Sequence, residues 1–210
     1  MDVVIKNTLA SFDPAQAGWQ FMWIILFVGL AGLGVAAERI IYIYFRSSKG
    51  RDKFLLDFGK LLAEKKYEEA VAFTKTSKLP IATVLGAIVG SHDKGKEAIV
   101  AASDAVFLTE APRVNRYLSI IGLIASVATL LGLAGTIFGL IITFDAIANK
   151  PAAERPTALA NGISVAMGTT LLGLAAAIPL LVINGFLSMF SERVIQEMEE
   201  KSLKVINSLA

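Results

Sequence analysis

The stretch YLSIIGLIASVATLLGLAGTIFGLIITF, residues 117–144, contains no charged residue. An α-helix rises 1.5 Å per residue, so this segment would extend over roughly 42 Å, more than the roughly 30 Å hydrocarbon thickness of a bilayer. An apolar segment of this length is typical of a transmembrane helix. Its excess length predicts that one end continues beyond the membrane into the polar region that precedes it in the chain.

Two further apolar runs have similar lengths. The first is WQFMWIILFVGLAGLGVAA, residues 19–37, and the other covers residues 162–190. The whole chain is 55% hydrophobic with a mean hydropathy of +0.63, which leaves too few charged residues to cover the surface of a soluble domain. The sequence therefore predicts an all-α membrane protein with three long transmembrane helices and a helical cytoplasmic domain.

The distribution of basic residues predicts the orientation. Region 46–116 holds 13 lysines and arginines, whereas the link between the second and third runs holds only Lys150 and Arg155. Cytoplasmic loops carry the excess of basic residues, so the large polar region is predicted to be cytoplasmic, with the N-terminus periplasmic and the C-terminus cytoplasmic. The predicted segments are a periplasmic N-terminus 1–18, transmembrane helix 19–45, cytoplasmic helical domain 46–116, transmembrane helix 117–145 with a cytoplasmic extension, periplasmic link 146–160, transmembrane helix 161–190 and cytoplasmic helix 191–210.

The polar region itself has helical periodicity. FLLDFGKLLAEKKYEEAVAF, residues 54–73, repeats apolar residues at three- and four-residue spacing. The apolar stretch IATVLGAIVG, residues 81–90, is too short to span a bilayer and predicts a buried helix of a soluble core. Glu38 and Arg39, at the edge of the first span, are predicted to extend toward the membrane surface as a pair.

Several function classes find no support in the composition. Cysteine is absent, and the single histidine, His92, lies in the glycine-flanked polar stretch GSHDKG. No nucleophile–base set or metal-ligand cluster is visible, so neither an enzyme, a cofactor nor a metal site is predicted. The net charge of +2 is too small to indicate nucleic-acid binding.

Hydroxyl groups and small residues recur within the second and third runs. Thr129, Thr136 and Thr143 are spaced by seven residues, close to two helical turns, and so lie roughly along one stripe. The accompanying small or helix-bending residues are Gly132, Gly135, Gly139, Ser164, Thr169, Thr170, Gly173 and Pro179. Such residues serve close helix packing in membranes, or they line a polar pathway. The composition leaves both interpretations open.

Carboxylates are absent from the middle of every predicted span. Asp145 follows GLIITF at the far end of the second run, where it is either a solvated interfacial residue or a functional one. An ion crossing the membrane at this chain would therefore meet no titratable carboxylate from it at mid-depth. That absence points to a second protein as the source of the acid.

The stretches LLGLAGTIFGLIITF, residues 130–144, and GISVAMGTTLLGLAAAIP, residues 162–179, followed closely by NGF, resemble the ExbB/TolQ/MotA family of ion-driven motor subunits. The order of spans and the large insert after the first span look like the three-span ExbB/TolQ branch. The resemblance implies a multi-pass protein of the bacterial inner membrane, in contact with the lipid bilayer. It also implies a homopentamer around a small single-span ExbD/TolR/MotB-like partner that contributes a membrane Asp.

The resemblance also implies roles for individual residues. The pore-facing threonines of the family match Thr136, in GLAGT, and Thr170, in the third span. Val165 occupies a position where ExbB and TolQ commonly have Glu. The secondary candidates for the ion pathway are Thr129, Thr143, Thr169, Ser164 and Asp145, and those for helix packing are Gly132, Gly135, Gly139, Gly173 and Pro179.

The function implied by the resemblance is that of a stator subunit. With its partner it would conduct H⁺ or Na⁺ and convert the ion-motive force into mechanical work in the cell envelope. The alternative is a membrane scaffold whose small-residue faces only pack. A stand-alone transporter is disfavoured because three spans offer neither an inverted repeat nor a mid-membrane charge. The sequence leaves open the powered process, the periplasmic target and the effect of Val165.

Overall fold

The computed structural model describes residues 8–14, 16, 18–44 and 50–209, and no strand occurs within these ranges. The chain is all-helical there, as predicted. A short 3₁₀ turn occupies His92–Lys94. The helices are α1 (Trp19–Ile41), α2 (Arg51–Ala63), α3 (Tyr67–Thr76), α4 (Pro80–Val89), α5 (Lys96–Asn115), α6 (Leu118–Ala148) and α7 (Arg155–Leu209).

Three of the helical segments are long and apolar enough to cross a membrane. They are Trp19–Tyr44, which is α1 with its continuation, Lys96–Ala148, which contains α6, and Arg155–Leu209, which is α7. The prediction of three long apolar helices is therefore confirmed. The predicted orientation and segment boundaries stay predictions.

The last helix is longer than its apolar run. α7 is continuous over 55 residues, so no break separates the apolar part from the polar part that begins near residue 191. Pro156 lies in the first turn of α7, where a missing N–H removes no helical hydrogen bond. After Gly185 the sequence contains neither Gly nor Pro, and nothing interrupts the helical backbone before Leu209.

The chain divides into two compact units. Unit 1 comprises residues up to Ala36 together with Ser119–Asn184, and unit 2 comprises Ala37–Leu118 together with Gly185–Ala210. Small residues bring the three helices of unit 1 close together. A Cβ at Gly29 would lie 3.1 Å from the Cβ of Ala176, and a Cβ at Gly32 would lie 2.6 Å from a methyl carbon of Leu180.

Unit 2 has a core of large apolar side chains. Phe54 and Phe58 of α2 are buried, and the Phe54 ring stacks on the ring of Phe73 with 5.1 Å between centroids. α4 lies in the middle of this core, with seven of its ten residues buried. Its apolar sequence and short length predicted this burial, because a helix of that length cannot span a bilayer.

Arg39 departs from its predicted environment. Its side chain is buried, with the residue only 3% exposed, and does not extend toward solvent. The guanidinium forms a two-pronged ion pair with Glu38 at 2.5 and 2.7 Å and lies over the rings of Tyr42 and Tyr117. Aromatic faces stabilise a desolvated cation, which explains why the arginine is held inside unit 2. The sequence around Arg39 could not predict its contact with Tyr117, which lies 78 positions further along the chain.

Candidate functional site

Three threonine hydroxyls meet in unit 1. Thr136 of α6 shares a hydrogen bond with Thr170 of α7, and its Oγ1 lies 3.4 Å from the Oγ1 of Thr169. We refer to Thr136, Thr169 and Thr170 as the hydroxyl cluster. It joins the second and third predicted spans at one level, and it contains both residues that the family resemblance singles out.

Each hydroxyl of the cluster also has a backbone carbonyl acceptor. Thr136 donates to the carbonyl oxygens of Gly132 or Ala166, both at 3.1 Å. Thr170 donates to the Gly132 oxygen at 3.1 Å, and Thr169 donates to the Ala166 oxygen at 2.7 Å. The two carbonyls therefore serve three hydroxyls, and the protons can be arranged among them in more than one way.

The members of the cluster differ in burial. Thr169 is fully buried, whereas Thr136 and Thr170 are each half-buried. Thr136 and Thr170 are thus partly accessible from outside unit 1, while Thr169 is part of its interior. A group brought against this face by another chain would meet Thr136 and Thr170.

Glycines permit the close approach that brings the hydroxyls together. A Cβ at Gly173 would lie 2.8 Å from the carbonyl oxygen of Ala128 and 3.0 Å from the Cα of Gly132. A Cβ at Gly135 would lie 2.9 Å from the Thr169 hydroxyl, and one at Gly139 would lie 3.1 Å from the Cβ of Ala166. Larger residues here would push α6 and α7 apart and separate Thr136 from Thr170.

The other two hydroxyls of the predicted stripe lie outside the cluster. Thr129 donates to the carbonyl oxygen of Ala125 at 3.2 Å, and Thr143 donates to that of Gly139 at 2.6 Å. Both bonds lie within α6, one turn back along the helix. Thr143 is buried beside Gly162, where its side chain fills the space that a Cβ would need. Thr143 therefore packs against α7, but of the three stripe residues only Thr136 is hydrogen-bonded to that helix.

The remaining candidates are placed around the ends and outer faces of the helices. Asp145 is exposed near the end of α6, and its backbone oxygen accepts a hydrogen bond from the Asn149 side chain at 3.3 Å. Ser164 and Val165 are half-buried in α7, and Pro179 is exposed in the interior of that helix. In the part of the chain that the structure describes, neither Asp145, Val165 nor Pro179 has a side-chain hydrogen bond to the hydroxyl cluster.

The structure adds a polar residue that lies in the NGF motif but was not among the predicted site residues. Asn184, at the end of the α7 portion of unit 1, has a buried side-chain oxygen with no hydrogen-bond partner among the described residues. Its amide nitrogen faces Gly122, where an added Cβ would lie 3.2 Å away. The signal was present in the sequence as a lone amide in the apolar run LLVINGF, residues 180–186.

The cluster is suited to hydrogen bonding rather than to covalent or metal chemistry. A neutral hydroxyl donates to a carboxylate and accepts from a carboxylic acid, so it serves either protonation state of an acid. The described carboxylates of unit 1 are Asp13, Asp145 and Glu154, and all three are exposed. No group of three potential metal ligands occurs among the residues that the structure describes.

Three long apolar helices and a neutral polar cluster between two of them define a membrane protein of the channel or transport class. The model of the MotA/TolQ/ExbB proton channel family matches residues 64–200, a range that contains the whole hydroxyl cluster. The match covers more than half of the chain. The chain belongs to this family, as the paired motifs of the second and third spans predicted.

Two relatives extend the comparison. The chain is 26% identical over 188 residues to a putative biopolymer transport protein ExbB homolog of Methanothermobacter thermautotrophicus, covering 90% of this chain and 66% of that protein. It is 37% identical over 93 residues to the biopolymer transport protein exbB1 of Vibrio cholerae, covering 44% of this chain and 40% of that protein. The chain thus spans just under two thirds of the first relative and two fifths of the second.

Proposed function

We propose that this chain is the stator subunit of an ion-driven motor in the bacterial inner membrane. With an ExbD/TolR/MotB-type partner it conducts H⁺, or Na⁺, and converts the ion-motive force into mechanical work in the cell envelope. Membership of a proton channel family supports this proposal, as do two relatives named for biopolymer transport. The proposal includes a homopentamer and a partner helix that carries a membrane Asp.

The hydroxyl cluster is the observation that carries the proposal. Thr136 and Thr170 are hydrogen-bonded to each other and half-buried, and the carbonyl oxygens of Gly132 and Ala166 accept hydrogen bonds from them. A partner carboxylate would receive a hydrogen bond from either hydroxyl, and the protonated acid would donate one instead. A fixed cation at this place would hold the acid in its charged form and stop its turnover.

The partner supplies the titratable group in this mechanism. The described carboxylates of unit 1 are exposed and have no hydrogen bond to the cluster. Val165 adds none, since its side chain is apolar. We propose that Thr136 and Thr170 face the partner Asp as it exchanges its ion, and that Thr129, Thr143, Thr169, Ser164 and Asp145 have smaller roles along the pathway.

The test is ion flux in proteoliposomes that contain the chain with and without its partner, under an imposed proton or sodium gradient. We expect partner-dependent flux that Thr136→Val and Thr170→Val each reduce at least about tenfold, as for loss of a charge-assisted hydrogen bond. Ser126→Ala is the matched control, because this exposed hydroxyl of α6 bonds only to the Gly122 carbonyl in its own helix and is not a candidate for the pathway. Full flux in both cluster variants would refute the assigned roles.

The competing function is that of a membrane scaffold whose helices only pack. The contacts of Gly132 and Gly173 hold α6 and α7 together whether or not an ion passes, so a membrane scaffold would have them too. The same proteoliposomes distinguish the two functions. A scaffold assembles with its partner and gives no partner-dependent flux for either ion.

A further inference from the structure

Unit 2 contains a polar cavity of about 470 Å³ that the proposed stator function does not use. The first turn of α4, the segment before it, the C-terminal part of α5 and the end of α1 surround the cavity. Arg39 and Tyr42 line it where α1 leaves the first predicted span. The complete lining is Arg39, Tyr42, Ser77, Lys78, Thr83, Glu110, Arg113 and Arg116.

Cations dominate the lining. Four of the eight lining residues are basic, and Glu110 is the single acidic one. Glu110 is already paired with Arg113 at 2.5 Å, and Arg39 is paired with Glu38. Lys78 and Arg116 form no ion pair with any residue that the structure describes. The Glu38 carboxylate is attracted most strongly by Arg39 and more weakly by Arg116. The four basic residues of the lining thus face two carboxylates, Glu38 and Glu110, which leaves an excess of two positive charges.

Neutral donors on the same wall add to this charge. The Ser77 hydroxyl oxygen accepts the Leu79 N–H at 3.3 Å, which leaves its proton free for another acceptor. Thr83 is exposed in the first turn of α4, a turn that contains no acidic residue. The positive end of the α4 dipole lies at this turn and favours an anion there.

We propose that this cavity binds a phosphate-bearing anion. Guanidinium groups match the spacing of phosphate oxygens, and Lys78 would contribute a point charge beside them. The volume lies within the range of small-ligand sites in proteins, roughly 300–1,000 Å³. The phosphate is part of an anionic lipid headgroup, reached from the membrane surface beside Tyr42, or part of a soluble phosphate.

The test uses the purified full chain in dodecyl maltoside micelles, with the midpoint of thermal unfolding as the measure of binding. One arm adds phosphatidylglycerol to the micelles, against phosphatidylcholine as the neutral lipid. The other arm adds inorganic phosphate, against chloride at equal ionic strength. We expect a saturable rise of the midpoint in at least one arm, which identifies the source of the phosphate.

Two double variants test the position of the site. In Lys78→Gln/Arg116→Gln we expect the half-saturating concentration to rise about tenfold or more. Lys53→Gln/Lys94→Gln removes the same charge from exposed lysines of unit 2 outside the cavity and is expected to leave the half-saturating concentration unchanged. If the double variant is unstable, Lys78→Gln alone replaces it, because Lys78 is exposed and its loss breaks no ion pair among the described residues. The half-saturating concentration is expected to rise in this variant too.

Two results would overturn the proposal. One is the absence of a saturable rise in both arms. The other is an equal weakening by the cavity variant and by the Lys53→Gln/Lys94→Gln control, which would mean that the anion senses only the diffuse charge of unit 2.

Discussion

The two units of this chain differ in the size of the residues that make the closest contacts inside each unit. In unit 2, buried phenylalanine, isoleucine and leucine side chains form the core around α4. In unit 1, a few large side chains such as Ile121 are buried too, but the closest contacts between helices each involve a glycine, and one of them brings Gly173 against Gly132. The leucines and phenylalanines of α6 are largely exposed on the outside of unit 1.

The solvent explains this difference. Water drives the burial of large apolar side chains in unit 2, because each buried leucine or phenylalanine removes apolar surface from water. Lipid gives no such drive, since its tails are as apolar as the side chains. Helices in lipid associate through close van der Waals contact and a few hydrogen bonds, both of which need small residues. The two units should therefore respond oppositely to changes of side-chain size.

The largest effect is expected in unit 2. Phe58→Ala removes a ring that is 2% exposed, and we expect the free energy of unfolding to fall by about 3–5 kcal/mol. Far-ultraviolet circular dichroism during urea unfolding of the solubilised chain measures it. Leu56→Ala, two residues earlier in α2 and 67% exposed, is the control and should change little. Equal effects of the two variants would contradict the core assigned to unit 2.

A smaller effect of the opposite kind is expected in unit 1. Gly173→Ala adds a single methyl group against two backbone atoms, and overpacking of this kind costs about 1–3 kcal/mol. Titration with sodium dodecyl sulfate in mixed micelles measures the change. Gly185→Ala, in the same helix with nothing near the added Cβ, is the matched control and should be neutral or stabilising. A neutral Gly173→Ala would mean that α6 and α7 are not in close contact there.

The smallest effect on stability is expected within the hydroxyl cluster. Thr136→Val is nearly isosteric, and Thr170 keeps its bond to Gly132 while Thr169 keeps its bond to Ala166. No buried hydroxyl loses its last acceptor, so we expect a loss of about 0.6 kcal/mol in the same titration, the average for hydrogen bonds between membrane helices. A loss above 2 kcal/mol would make the cluster chiefly structural and favour the scaffold.

Much of the fold could be predicted from the sequence. Charge-free runs predicted the three long helices, and the length of residues 81–90 predicted the buried helix α4. The polarity change near residue 191 does not end the last helix, because the backbone hydrogen bonds of a helix form in an apolar and in a polar segment alike. The buried position of Arg39 depends on Tyr117, a partner distant in sequence that no local pattern could identify.

The site was predictable only in part. Periodicity placed three threonines of α6 on one stripe, but the Thr129 and Thr143 hydroxyls bond only to carbonyls of the preceding turn, and Thr143 meets α7 through packing against Gly162. The carbonyl oxygens of Gly132 and Ala166 accept the hydrogen bonds of the cluster. Because every residue has a carbonyl, the sequence could not indicate which carbonyls would do so. Bringing Thr136 to Thr170 required the tertiary contact of α6 with α7.

One measurement tests the central claim most directly, namely that the hydroxyls of Thr136 and Thr170 serve the passage of an ion. Partner-dependent flux in proteoliposomes is compared for Thr136→Ser/Thr170→Ser and Thr136→Val/Thr170→Val. Serine keeps the hydroxyl and loses the methyl group, whereas valine keeps the shape and loses the hydroxyl. We predict that the serine variant retains most of the flux and the valine variant almost none. Equal flux in the two variants would contradict the claim.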